Sequence, residues 1–145
     1  MEQQRKKRIR GGVLGAGLLA LLAGCASGSG DMASPLAGNW RLESLGGVGI
    51  RNEGPRAAAV EFGPQGRLMG SGGCNRIAGS YTQSGSRLTI GPVAATRMAC
   101  IDPVATQNET AFLAALQNVA SFRYDAGRLF LLDAQGQALA SLTGP

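Results

Sequence analysis

Ala58-Ala59-Val60-Glu61-Phe62-Gly63-Pro64-Gln65-Gly66-Arg67-Leu68-Met69-Gly70-Ser71 decides how the rest of the chain is read. Ala58, Val60 and Phe62 recur at a period of two, which puts them on one face of a strand. Gly63-Pro64-Gln65-Gly66 is turn chemistry, and Arg67–Ser71 returns as a second strand, so the segment predicts a β-hairpin.

The same grammar extends in both directions. Upstream, Trp40 and Leu42 share a face of an earlier strand. Downstream, Gly72-Gly73 interrupts before Asn75–Thr82, where Ile77, Gly79 and Tyr81 alternate. Ser84-Gly85 then turns the chain into Arg87–Gly91, with Leu88 and Ile90 on one side. The period changes after Cys100. Asp102 can cap a helix, Pro103 suits its first position, and Phe112, Leu116 and Val119 follow at helical spacing. Three more strands are predicted, Ser121–Asp125, Leu129–Leu132 and Ala138–Leu142, joined by turns at Asp125-Ala126-Gly127 and Ala134-Gln135-Gly136. Five strands, one helix and three strands bury their apolar faces best by curling. The expected fold is mainly β (α+β): a curled antiparallel sheet or partly open small β-barrel of about eight strands, with one α-helix over an opening.

The first 37 residues follow different rules. Arg5, Lys6, Lys7, Arg8 and Arg10 precede a thirteen-residue apolar run, Gly11 to Ala23, which ends at Gly24 and Cys25. That is signal-peptide architecture. The run falls short of the roughly 20 apolar residues of a permanent membrane span. Leu22-Ala23-Gly24-Cys25 resembles the lipobox of bacterial lipoproteins. That resemblance implies removal of residues 1–24 and diacylglycerol on the Cys25 thiol; an ordinary secretory signal or an uncleaved anchor is the alternative. Ala26 after the cysteine resembles the pattern sorted to the outer membrane. Residues 26–37, small, polar and glycine-rich, read as a flexible tether, so the domain is expected over 38–145.

Cleavage would also change the meaning of the charge. The formal net charge is +5. From Cys25 onward nine Arg face eight acidic residues, leaving +1. No basic stripe is left to recommend nucleic acid as a partner.

The chain has no His, which removes the commonest general base and the commonest transition-metal ligand. No Lys follows Lys7, so Schiff-base chemistry is excluded from the later part. Serine nucleophiles lack a histidine partner, and no cluster offers metal-ligand spacing. Gly70-Ser71-Gly72-Gly73-Cys74-Asn75 lacks the Lys-Ser or Lys-Thr of a phosphate loop, and its glycines read as a kinked strand crossing. Asp102 and Glu109 are assigned to the helix start, where they would complement the helix dipole. Cys74 and Cys100, 26 positions apart, suit a disulfide in an exported protein; two buried thiols or a reactive thiolate beside Arg76 or Arg97 are the alternatives. No enzyme activity, cofactor or metal is expected.

Several of these segments together resemble the META domain, the HslJ-like lipoprotein family. They are Gly38-Asn39-Trp40-Arg41-Leu42, Val60-Glu61-Phe62, Gly70-Ser71-Gly72-Gly73-Cys74-Asn75-Arg76, Gly79-Ser80-Tyr81, Leu88-Thr89-Ile90, Thr96-Arg97-Met98-Ala99-Cys100, Glu109 with Phe112 and Leu116, and Leu129-Phe130-Leu131. Ile77 departs from the pattern, since the family commonly carries an aromatic there. The resemblance implies a compact antiparallel β fold with a helix, in envelope proteins associated with stress tolerance, drug resistance or secretion. It implies no agreed chemistry. Trp40, Gly72, Gly73, Asn75, Thr96, Met98 and Glu109 therefore read as structural motif residues.

The functional expectation is a monomeric, non-enzymatic periplasmic lipoprotein, held to the membrane by its N-terminal lipid. It would support envelope integrity under stress by binding a protein or an apolar ligand, with the barrel mouth as one place for it. The alternative is an inhibitor of a hydrolase, or a pilot for a secretion pore, acting through an exposed loop bearing Arg51, Asn52 and Glu53.

Overall fold

The computed structural model describes residues 34–144. The signal-peptide, Cys25 and most of the tether expectations lie outside the described residues.

Among the described residues, ten strands and one α-helix follow one another: β1 (Gly38–Leu45), β2 (Val48–Gly49), β3 (Ala59–Phe62), β4 (Arg67–Ser71), β5 (Arg76–Ser84), β6 (Arg87–Ile90), β7 (Ala94–Ala95), α1 (Pro103–Asn118), β8 (Ser121–Asp125), β9 (Arg128–Leu132) and β10 (Ala138–Thr143). Every pairing between these strands is antiparallel. The eight longer strands form a ring, β1-β3-β4-β5-β6-β8-β9-β10, which β10 closes by pairing with β1. Closure removes the open edges that an eight-stranded sheet would otherwise expose. β2 and β7, two residues each, have no counterpart in the expected strand list; β2 extends along β1 and β7 lies against β5.

The ring is uneven. β6 meets β8 through one ladder pair, Arg87 with Ser121, flanked by hydrogen bonds from Leu88 N to Ala120 O and from Phe122 N to Ser86 O. Helix α1 packs against β1, β6 and β10, and Gln117 Nε2 donates to Gly91 O at 3.1 Å just past β6. Its start is as expected: Asp102 accepts from Val104 N at 2.9 Å and Pro103 takes the first turn. Phe112, Ala115 and Leu116 form its buried face.

Alternation delivers the core. Trp40 and Leu42 from β1, Val60 and Phe62 from β3, Leu68, Ile77, Leu88, Leu129, Leu131 and Leu142 all point inward and are buried. Fully burying such a side chain contributes about 1.5–3 kcal/mol. These side chains and Phe112, Ala115 and Leu116 of α1 form one hydrophobic core cluster.

The folded body begins before Gly38, where the tether was expected to end. Leu36 is fully buried, its carbonyl accepts the Trp40 indole N–H at 2.8 Å, and Ala37 bridges to Phe62. The Ser34 hydroxyl donates to the Gln83 side-chain oxygen. A lone leucine among small residues carries no periodicity, which is why composition assigned it to the tether.

Candidate functional site

The motif residues of β4, β5 and α1 converge at the end of β5 remote from Ser34. Gly72, Gly73 and Cys74 make a tight connection between β4 and β5, closed by Gly72 N donating to Asn75 O at 2.8 Å. The carboxylate of Glu109 sits against it. Oε2 accepts from Cys74 N at 2.9 Å and Asn75 N at 2.6 Å, and Oε1 accepts from Asn75 Nδ2 at 2.6 Å. Asn75 Oδ1 in turn accepts from the Thr96 hydroxyl at 2.9 Å and Met98 N at 2.7 Å. Thr96 Oγ1 also accepts from Arg76 N at 3.1 Å. The Cys74–Cys100 disulfide closes the same region, with Cα atoms 5.8 Å apart.

Glu109 thus does not lie at the helix start. It stands in the second turn of α1, and no acidic residue occupies the first turn. It is 93% buried, by its 7% exposure. Burial is the largest influence on its ionisation and pushes its pKa up, but the hydrogen bonds from Asn75 and Cys74 outweigh it and hold the carboxyl below its ordinary value. Three buried donors thus occupy most of the carboxylate's acceptor sites, two on Oε2 and one on Oε1. Gly72 is required by contact, since a Cβ there would lie 2.6 Å from Glu109 Cγ and Oε2. Among the motif residues, Met98 contributes through its backbone N–H, while its side chain is half exposed.

The same network answers the phosphate-loop question. The N–H groups of Gly72, Gly73, Cys74 and Asn75 donate respectively to Asn75 O, Ser71 Oγ and, for the last two, Glu109 Oε2. Those donors are already used by the protein. Among the described residues, no group of three or more His, Cys, Asp and Glu side chains is placed to hold a metal ion.

Asn52, expected on an exposed contact loop, is instead a clamp. Its Nδ2 donates to Leu42 O and Ala58 O, both at 2.8 Å, and its Oδ1 accepts from Ala58 N at 2.6 Å. One side chain thereby bridges β1 and β3 where β2 stops.

Outside the ring, over β4, β5 and β7, lies an open groove of about 1120 Å³. Strand register explains its surface. Met69 faces Ala78, and Ala78 faces Ala94, making an apolar row; one step along, Ser71 faces Arg76. Met98 stands on one flank, and Arg56 joins Arg76 at the polar end. No carboxylate lines the groove.

A sequence profile of the META domain matches residues 34–144. The chain belongs to the META domain family. The matched span begins at Ser34, where the folded body also begins. Three solved structures resemble this META domain. A protein solved by NMR is 26% identical, covers 74% of this chain and 89% of its own, and superposes with a TM-score of 0.60. A protein from Burkholderia xenovorans, also solved by NMR, is 24% identical over 76% of this chain and 83% of its own, with a TM-score of 0.59. A crystallised DUF4847-family protein from Bacteroides vulgatus is 14% identical over 74% and 92%, with a TM-score of 0.53. The last two speak for the fold alone. No curated protein matches the chain.

The META motif words GGCN and TRMAC, distant in sequence, are therefore the two sides of one buried staple with Glu109 at its centre. Sequence reading put Glu109 in the helix but at its start, and put Asn75 in a strand that begins one residue later, at Arg76. It missed that Arg56 and Arg76 line one groove, because only the fold brings the segment before β3 near the start of β5.

Proposed function

We propose that this META protein is a non-enzymatic lipoprotein of the cell envelope. Cys25 becomes the acylated N-terminus after removal of residues 1–24, residues 26–33 tether the domain on the periplasmic face of the outer membrane, and the domain supports stress tolerance by binding a partner protein. The basic N-terminal region, apolar run and lipobox-like Leu22–Cys25 support the anchoring; two or three acyl chains hold far more firmly than one.

The observation that carries the binding reading is the outer groove. It is apolar along Met69, Ala78 and Ala94 and open to solvent, and Thr96 and Met98, which bond Asn75 of the staple, line it. Exposed methionines are adaptable apolar contacts. The polar residues that could have suggested chemistry are spent inside the staple.

The test is photo-crosslinking in intact cells with a photoreactive residue at Ala78, in the groove, or at Gln135, on the turn between β9 and β10. Crosslinks to a discrete protein from position 78, absent from position 135 and lost on adding Met69→Asp, are expected. Equal capture from both positions, or none from position 78, would remove the groove from the account.

A further inference from the structure

Both methionines among the described residues line the groove. The chain has four: Met1 falls in the segment proposed to be removed, Met32 lies outside the described residues, and Met69 and Met98 stand on the groove wall. Met69 is 46% exposed and Met98 49%. The hydrophobic core cluster is built from Leu, Ile, Val, Phe, Trp and Ala and holds no methionine. Thioether sulphur is thus offered to solvent at one surface and withheld from the interior.

Few other side chains compete for an electrophilic oxidant. Cys74 and Cys100 are joined and present no thiol, and thioether sulphur is richer in electrons than disulfide sulphur. The chain has no His, and no Lys after Lys7. Trp40 is buried at 3% exposure, with its indole N–H on Leu36 O. The backbones of the two methionines are also held by bonds that their sulphur does not enter. Met69 pairs with Glu61 and Ala78 in the sheet, and Met98 N donates to Asn75 Oδ1. An oxygen atom added to either sulphur therefore alters the groove's surface and leaves those bonds in place.

We propose that Met69 and Met98 are a site of oxidation by hypochlorous acid and that their sulfoxides release the groove's partner, a step that rests on the reading of the groove as a protein-binding surface. The sulphur lone pair displaces hydroxide from chlorine. Water then adds to the chlorosulfonium sulphur and chloride leaves with two protons, one of which neutralises the hydroxide. Each thioether and hypochlorous acid thus give a sulfoxide, chloride and one proton, the sulphur losing the two electrons that the chlorine gains. Hypochlorite, the conjugate base of the oxidant, meets Arg76 in the groove and no carboxylate. The sulfoxide converts a flexible apolar side chain into a polar one, and a polar group pressed against an apolar partner face without a donor opposes binding.

The site is tested on the purified full chain in detergent, carrying Met32→Leu, by titration with hypochlorous acid, quenching with free methionine and peptide mapping by mass spectrometry. The expected map shows one oxygen on each of Met69 and Met98 before any change at Trp40, Tyr81, Tyr124 or the disulfide, with the dispersed amide NMR spectrum kept. Earlier modification elsewhere, or loss of the dispersed spectrum along with the two sulfoxides, would overturn the site. Release is read in intact cells from the crosslink at position 78, as the ratio of treated to untreated yield within each protein. In the parent that ratio should fall roughly tenfold, the effect of burying one unpaired polar group, in step with the two sulfoxides over a dose series. It should fall less in Met69→Leu and in Met98→Leu, and stay unchanged in the double variant, which has apolar bulk and no sulphur to oxidise. An equal fall in the parent and the double variant, or an unchanged ratio in the parent despite both sulfoxides, would overturn release while the binding reading stands. No crosslink from position 78 in untreated cells would remove the binding reading and release with it, and the peptide map would then decide the oxidation site alone.

Discussion

Glu109 holds Asn75 twice, accepting its backbone N–H and its side-chain amide at 2.6 Å each across 34 positions of sequence. Asn75 passes the connection on to Thr96 and Met98. Three segments are fixed through one buried carboxylate: the β4–β5 connection, helix α1 and the stretch leading to Cys100. The polar motif side chains Glu109, Asn75 and Thr96 are bonded to one another.

Replacing Glu109 should therefore cost stability in proportion to the donors orphaned. Glu109→Ala strands three buried donors, and a loss of about 3–5 kcal/mol is expected, since each hydrogen bond to a charged group contributes about 1.5–3 kcal/mol and the effects are not additive. Glu109→Gln keeps one acceptor oxygen but sets an amide NH2 against a donor, for a loss of about 2 kcal/mol. Urea unfolding of both variants checks the order.

Acid should find the same group. The Glu109 carboxyl is held below its ordinary value, 4.5. Its ionised form is therefore favoured in the folded state, and its contribution is fully present above the unfolded value and is lost as pH falls through the lower folded one. Between neutral pH and about 5 this group contributes no slope. Below pH 4.5 the parent should lose stability more steeply than Glu109→Gln, which has nothing to protonate. Parallel pH–stability curves for the two proteins would contradict the assignment.

Close approach makes a separate prediction. Gly72→Ala places a methyl group 2.6 Å from Glu109, so the staple must shift, at about 2–3 kcal/mol by the scale of core overpacking. Gly49→Ala, where a Cβ meets nothing within 4 Å, should stay within about 0.5 kcal/mol of the parent. Thermal unfolding of the pair separates loss of space from loss of glycine.

The disulfide and the staple overlap in position but differ in kind. Cys74→Ala/Cys100→Ala should cost about 3–4 kcal/mol, the loop-closure value for a sequence separation of 26. It should leave the Asn75 bonds to Thr96 and Met98 in place, because neither involves sulphur. A single cooperative transition at lower denaturant, with slow exchange preserved at the Met98 amide, is expected.

Much of this fold is written locally. Period-two alternation at Val60-Glu61-Phe62 and Leu88-Thr89-Ile90, with glycine turns between, identified the eight principal strands, and Asp102-Pro103 marked the start of α1. What escaped depends on partners remote in sequence. Closure of the ring joins Leu42 to Leu142, a hundred positions apart, and β2 and β7 are too short to show a period. Asn52 looks like any loop asparagine until the carbonyls of Leu42 and Ala58 stand beside it. Glu109 is the instructive miss. Three residues before Phe112 and seven before Leu116, it falls on the apolar face of the helix. A carboxylate on that face signals a buried partner, and this spacing was legible in the sequence.

The central functional claim is that the three cysteines divide between two tasks, with Cys25 carrying lipid and Cys74 paired to Cys100. The intact mass of the protein extracted from membranes tests it most directly. The account predicts a species that begins at Cys25, carries diacylglycerol and an added acyl chain there, and resists thiol alkylation at Cys74 and Cys100 until reduced. A species that retains residues 1–24, or one cut elsewhere with an unmodified Cys25 thiol, would contradict it.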